Sequence, residues 1–221
     1  MASSIRIVGD ERLLSYAAGI RAVYASAFAA PPWDEAESMA DAYLERLGDD
    51  LARPGFVAAL VLDGDTVHGF CTAWTTPADF PKDRCHPQVL AALGPQRTRD
   101  WLCGAQEIDQ LAVHARARGR RLGPALLDAV TAEAADGRSW LLTSIRAETA
   151  MDFYQRLGWH QATYPAPRGT GAAVFLGPCH PAAPATAGWG VVRADRPVED
   201  GPARATASRR PQHPVGGERR S

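Results

Sequence analysis

Four arginines and two glycines crowd one short stretch of this 221-residue chain. Arg116, Arg118, Gly119, Arg120, Arg121 and Gly123 separate the apolar run Ile108, Leu111 and Val113 from a second run, Leu122, Leu126, Ala129 and Val130. The first run reads as a strand and the second keeps helical spacing. The turn between them suits an anion. A helix start leaves N–H groups without intrahelical partners, and its dipole favours negative charge. Glycine lets the backbone approach a ligand closely, and arginine adds charge-assisted hydrogen bonds to phosphate. The chemistry predicted for residues 107–130 is therefore capture of a di- or polyphosphate.

The flanking sequence supplies the elements that must position such a site. Ser4 to Val8 alternates like a strand, and Gly9-Asp10 offers a turn and a helix cap. A helical face follows from Asp10 to about Ala30, stopped by Pro31-Pro32, because the residue before a proline resists the helical region. Asp34 is placed to cap a second helix running to about Leu47. Phe56–Leu62 and Thr66–Thr75 read as strands joined by an Asp63-Gly64 hairpin. Residues 76–104 form a long insertion with a helix around Pro87 to Leu93, or on toward Trp101. Loops of that length in compact domains are often functional. Ser139–Ile145 is a further strand, and with the strand at 107–113 and the helix at 122–135 it makes a parallel βαβ crossover the economical arrangement. A helix from Glu148 to Leu157, ended by Gly158, precedes two last strands, Trp159–Tyr164 and Ala172–Leu176, around a Pro/Gly loop. This predicts an α/β (α+β) domain over residues 1–177, with a mixed sheet of six to seven strands and flanking helices. Residues 178–221 hold seven of the 17 prolines with scattered Gly, Arg and Ser, which predicts a disordered tail, save for a possible short ordered piece at Gly188–Val192.

Composition narrows the function classes. A net charge of −1 gives no electrostatic footprint for nucleic acid or an anionic membrane surface. No apolar run approaches a membrane span, and the start lacks the apolar core of a signal peptide. Cys71, Cys85, Cys103 and Cys179 form no C-x-x-C pair, so reduced thiols in a cytoplasmic protein are expected. Cys85-His86, Cys103 and Cys179-His180 lack metal-ligand spacing, so no metal site is expected.

Spacing also tests the phosphate turn against known types. Gly119-x-x-x-Gly123 is not G-x-G-x-x-G, and no acid ends the next strand at Thr143-Ser144-Ile145-Arg146, against a dinucleotide site. A nucleoside-triphosphate loop lacks its Gly-Lys-Ser/Thr. Arg118-Gly119-Arg120-Arg121-Leu122-Gly123 after Val113 instead resembles the Q/R-x-x-G-x-G/A loop of the GCN5-related N-acetyltransferase (GNAT) superfamily. Arg121 stands where that pattern has its middle glycine, a replacement expected to be tolerated if it keeps right-handed helical dihedrals. Downstream, Ala150-Met151-Asp152-Phe153-Tyr154-Gln155-Arg156-Leu157-Gly158-Trp159 resembles the superfamily's A-x-x-F-Y-x-x-x-G-F/W element, with Ala147 where an Asn often precedes it. The resemblance spans about residues 4–176.

That resemblance implies direct acetyl transfer from acetyl-coenzyme A to an amine. It implies that Arg118, Gly119, Arg120, Arg121, Leu122 and Gly123 hold the pyrophosphate. Leu111, Ala112 and Val113 would align the pantetheine arm, with a backbone N–H near Leu111 facing the thioester oxygen. Tyr154 is the implied general acid for the departing thiolate. Glu107 is the first candidate base and Asp109, on the same face by alternation, the second; Gln110 cannot act as one. Trp33, Asp34, Glu35 and Trp74 are implied to wall the acceptor, with Trp101 and the insertion as further candidates. The acceptor could be an aminoglycoside-like or polyamine-like small molecule or a peptide amine. A catalytically silent coenzyme A-binding module and an interaction protein with an Arg-rich tail are the competing classes. The sequence leaves monomer and homodimer both open.

Overall fold

Near-continuous apolar runs, buried on both faces, build the centre of a seven-stranded sheet. The structure, a computed structural model, describes residues 4–163 and 171–183. Its strands are β1 (Ser4–Val8), β2 (Val57–Asp63), β3 (Thr66–Thr75), β4 (Gln106–Val113), β5 (Ser139–Ser144), β6 (His160–Gln161) and β7 (Ala172–Leu176). They hydrogen-bond in the order β1-β2-β3-β4-β5-β7-β6, antiparallel throughout except for β4 beside β5. The helices are α1 (Ala17–Phe28), α2 (Ser38–Asp50), α3 (His86–Leu93), α4 (Pro95–Arg97), α5 (Leu122–Thr131) and α6 (Glu148–Arg156). Among the described residues, no helix is long and apolar enough to cross a membrane.

Side-chain alternation divides the core between the two faces of the sheet. On one, α1 and α2 bury Ile20, Val23, Tyr43 and Leu47 against Leu60, Phe70, Trp74 and Ala112. On the other, α5 buries Leu126, Leu127 and Val130 against Ala59, Cys71, Ile108 and Leu141. Each fully buried aliphatic side chain there contributes about 1.5–3 kcal/mol, which holds α5 in place without help from a long helix. A third cluster joins the insertion, through Val89, Leu93 and Leu102, to Trp140, Val174 and Leu176. Packing continues past residue 177: His180 and Ala183 are buried. His180 Nε2–H donates to the Trp101 carbonyl at 2.8 Å while Nδ1 accepts from Ala182 N–H.

Several local expectations change. The second helix starts at Ser38, and Asp34 caps nothing: it sits in a preceding turn with φ +46°. Asp10 does cap, accepting from Arg12 N–H, but a 3₁₀ segment over Glu11–Tyr16 precedes α1. The insertion carries two helices, broken at Gly94 (φ +79°), then a wide π-type turn over Thr98–Leu102 in which Cys103 N–H donates to the Thr98 carbonyl. α5 stops at Thr131, not 135, and β6 is only two residues long. The expected Pro/Gly connector from Tyr164 and the tail from 184 onward, including Gly188–Val192, lie outside the described residues.

Candidate active site

The parallel pair at the sheet's centre is short. β4 and β5 pair only over Gln106–Ser139, Glu107–Trp140 and Ile108–Leu141, and then part. On its other edge β4 stays paired with β3, with a register shift: Thr72 faces Gln110 while Ala73 faces Ile108, so Asp109 is the extra residue of a β-bulge. The bulge reverses the alternation beyond it. His114 N–H donates to the His68 carbonyl on the β3 side. Counting back, the N–H groups of Leu111 and Val113 turn away from β3 and into the gap. A cavity of about 1010 Å³ opens there, bordered by Leu111 to Val113, Tyr154 and Asp109.

A buried charge network forms one wall. The Glu107 residue is 4% exposed. Trp74 Nε1–H donates to its Oε2 at 3.2 Å, and His86 Nε2 lies 2.9 Å from its Oε1. His86 Nδ1 is 2.9 Å from the Asp83 carbonyl. Both ring nitrogens thus face acceptors, so His86 and Glu107 share one proton between Nε2 and the carboxylate. Burial opposes a charged ring, but the Glu107 hydrogen bond and charge, with Asp83, outweigh it and raise the His86 pKa. Next to this pair, Arg84 donates to Asp109 Oδ1 at 2.7 Å and to both oxygens of buried Asp50 at 2.9 and 3.0 Å. Arg53 also donates to Asp50, at 2.6 Å, and the Arg53 and Arg84 guanidinium groups lie over the Trp74 ring. Burial pushes the Asp109 carboxyl up to about 6 against the pull of Arg46 and Arg84, with Asp50 and Glu107 adding to the rise.

The lining contributed by α6 is mixed, with Phe153 and Tyr154 beside Glu148 and Arg156. Tyr154 on α6 packs against the rings of Phe153, Trp159 and Phe175. Burial, and then the Cys71 thiol, raise its pKa, so the hydroxyl keeps its proton across the neutral range. At the end of β4, Ala115 N–H donates to Ser26 Oγ and Arg118 Nη2 to the Ala27 carbonyl, which ties the basic loop to the end of α1. Arg121 then enters α5 with φ +59° and ψ +24°, in the left-handed region and not the right-handed one anticipated for a replaced glycine. The first turn of α5 opens with the N–H groups of Leu122 and Gly123; Pro124 has none. A Cβ on Gly123 would stand 3.3 Å from the Phe153 ring, so glycine is what lets the α5 start and α6 approach.

Residues 55–161 match the family described as acetyltransferase (GNAT) domain. This stretch is a GNAT-family domain. The solved structures it resembles share its fold at low identity. One is PH1933 from Pyrococcus horikoshii OT3, with 16% identity, a TM-score of 0.54, and coverage of 79% of this chain and 98% of that one. Another is the PaiA N-acetyltransferase from Thermoplasma acidophilum in complex with coenzyme A, at 13%, 0.52, 80% and 99%. A third is described as histone acetyltransferase HPA2 and related acetyltransferase, from Corynebacterium glutamicum ATCC 13032, at 17%, 0.54, 80% and 97%. No curated protein matches the chain by sequence.

Within the GNAT domain and its flanks, Glu107, Asp109, Leu111, Ala112, Val113, Arg118, Tyr154, Trp33 and Glu35 all border the one cavity. Gly119, Arg120, Arg121, Leu122 and Gly123 form the adjoining loop and helix start, not the cavity wall. Three residues expected at the acceptor do not border the cavity. Trp74 is fully buried, 0% exposed, so it holds Glu107 and cannot touch an acceptor. Trp101 packs into the third core cluster, away from the cavity. Asp34 does not border the cavity either, although its neighbours Trp33 and Glu35 do. The sequence reading missed Arg46, Asp50, Arg84 and His86. They come from α2 and from the insertion, and only the length of the insertion hinted at them.

Proposed function

We propose that this chain is an N-acetyltransferase that moves an acetyl group from acetyl-coenzyme A to an amine. One observation carries the reading: β4 and β5 part after Ile108, and the gap holds two turned N–H groups with Tyr154 on one wall and Asp109 on the other. The residues fit the donor. Arg118 and the N-terminus of α5 offer positive charge and N–H groups to a pyrophosphate, and Leu111 and Val113 offer strand-edge hydrogen bonds to a pantetheine arm. When bound, acetyl-coenzyme A supplies an electrophilic thioester carbonyl and a thiolate leaving group.

The chain's own residues then divide the work. The Leu111 N–H is aimed where the carbonyl oxygen gains charge. An amine acceptor arrives as ammonium, with a pKa near 10.4. Asp109, ionised above about pH 6, takes its proton, directly or through water, before the C–N bond forms. Asp109 is preferred to Glu107 as the base because both Glu107 oxygens are already engaged by Trp74 and His86. As the C–S bond breaks, Tyr154 donates a hydrogen bond to the leaving sulfur, and the extra proton on the newly bonded nitrogen passes to the departing thiolate or to solvent, leaving a neutral amide and the free thiol. Complete transfer from a phenol of raised pKa to a thiolate of ordinary pKa, near 8.5, runs uphill, so stabilisation by the O–H is its role. All four cysteines are free thiols, which suits the reducing, cytoplasmic setting expected. The test is release of free thiol from acetyl-coenzyme A across a panel of amines. Amine-dependent release is the expected result. Coenzyme binding without release to any amine would replace this reading with the silent binding module.

A further inference from the structure

The acceptor end of the cavity has its own chemistry. Tyr24 donates to Glu35 Oε2 at 2.8 Å and stacks on Tyr43, with ring centroids 4.7 Å apart. Arg46 lies over the other ring of that stack, its guanidinium carbon 5.1 Å from the Tyr43 centroid. The Tyr24 hydroxyl feels the charges of both Arg46 and Asp109, so Glu35, Arg46 and Asp109 converge on one region of the wall. Arg46 is paired there with Asp50 and Asp109 only by charge, without a hydrogen bond to either. Its nearest carboxylate oxygens, on Asp50 and Asp109, are each 3.7 Å away, beyond hydrogen-bond distance. Its Nε–H is buried without a partner. Arg84, by contrast, has its donors taken by Asp50 and Asp109.

A guanidinium with no carboxylate in hydrogen-bond reach, beside a carboxylate that needs an ammonium, is a two-pole site. Building on the transferase reading, we propose that the acceptor is a zwitterion of the α-amino-acid type, whose carboxylate docks on Arg46 while its ammonium faces Asp109 and Glu35. The planar fork of one arginine matches one carboxylate. A phosphate, carrying about −1.5 to −2, asks for a second uncommitted cation, which Arg84 does not supply. A polyamine or aminoglycoside offers Arg46 no carboxylate and leaves that guanidinium without its partner. A peptide N-terminus carries a neutral amide where the carboxylate is required. Trp33 and Met39 on the same wall favour an apolar side chain.

The test is a steady-state thiol-release assay on the full chain, with an apolar α-amino acid, its methyl ester, its decarboxylated amine, a polyamine and an aminoglycoside. The free amino acid should show kcat/KM at least about tenfold above its ester and its decarboxylated amine. Arg46→Met, which keeps the stem on Tyr43 and removes the charge, should raise the amino acid's KM about tenfold or more and bring the ratio near parity. An unchanged thermal shift with acetyl-coenzyme A shows that this variant folds and binds the donor. Preference for the polyamine, the aminoglycoside or the decarboxylated amine overturns the zwitterion and leaves the transferase standing. So does an Arg46→Met variant that slows all acceptors alike. No release with any amine, despite donor binding, overturns both.

Discussion

Asp109 gives up its proton at a higher pH than a solvated aspartate, and that single property shapes the expected pH dependence. With its carboxyl pushed up to about 6, about a tenth of it is ionised at pH 5 and about nine-tenths at pH 7. Wild-type kcat/KM should therefore climb to a bend near pH 6 and then level off. Asp109→Asn has no base for the ammonium and must wait for free amine, so its lower rate should keep climbing toward about pH 10. A bend near pH 6 that survives in Asp109→Asn assigns the base elsewhere, with the His86–Glu107 pair next in line. Alternation suggested that Glu107 and Asp109 share a face, and both do reach the same charge network. The bulge that makes Asp109 an extra residue was not legible, because nothing in Gln106–Val113 marks it. Trp74 was misread for a similar reason. An aromatic residue late in a strand looks like a wall residue until pairing sets it opposite Glu107 and the arginines cover its ring.

At the scale of elements, the basic loop falls where the strand, turn and helix were expected, but only part of it borders the cavity. Arg118 borders the cavity; the Arg121 side chain does not. Arg121 contributes a left-handed backbone that starts α5, at roughly 1–2 kcal/mol for a non-glycine residue. Arg121→Gly should then leave acetyl-coenzyme A binding and thermal stability at or slightly above wild type. Arg121→Val, whose β-branch suits that conformation worst, should lose about 1–2 kcal/mol of stability and bind more weakly, by denaturation and calorimetry. A large loss of binding in Arg121→Gly, with stability intact, would instead mean that the guanidinium itself holds the ligand. Strands such as Ser4–Val8, Thr66–Thr75 and Ala172–Leu176 were readable to the residue because turn residues bound their apolar stretches. The insertion was not. Its helices are short, broken at Gly94, and held by Trp140 and Val174, which lie far along the chain.

At the scale of the whole molecule, the sheet serves as a partition. One face packs α1 and α2 and brings Trp33, Glu35 and Arg46 to the cavity, at the proposed acceptor end, and the insertion adds Arg84 and His86. The other face packs α5, and α6 carries Tyr154 to the cavity, at the proposed donor end. The two ends meet only where β4 leaves β5. The family and the fold were visible in two motifs about 30 residues apart. The acceptor side was not, because Arg46, Asp50, Arg84 and His86 come together only through tertiary packing. The most direct test of this meeting point is a paired measurement on Tyr154→Phe, of acetyl-coenzyme A binding and of the amine-dependent transfer rate. A hydrogen bond to a developing thiolate is worth about 1.5–3 kcal/mol, so transfer should fall roughly ten- to a hundredfold while the dissociation constant stays within about twofold. Transfer at the wild-type rate, or a loss explained wholly by weakened binding, would contradict the account.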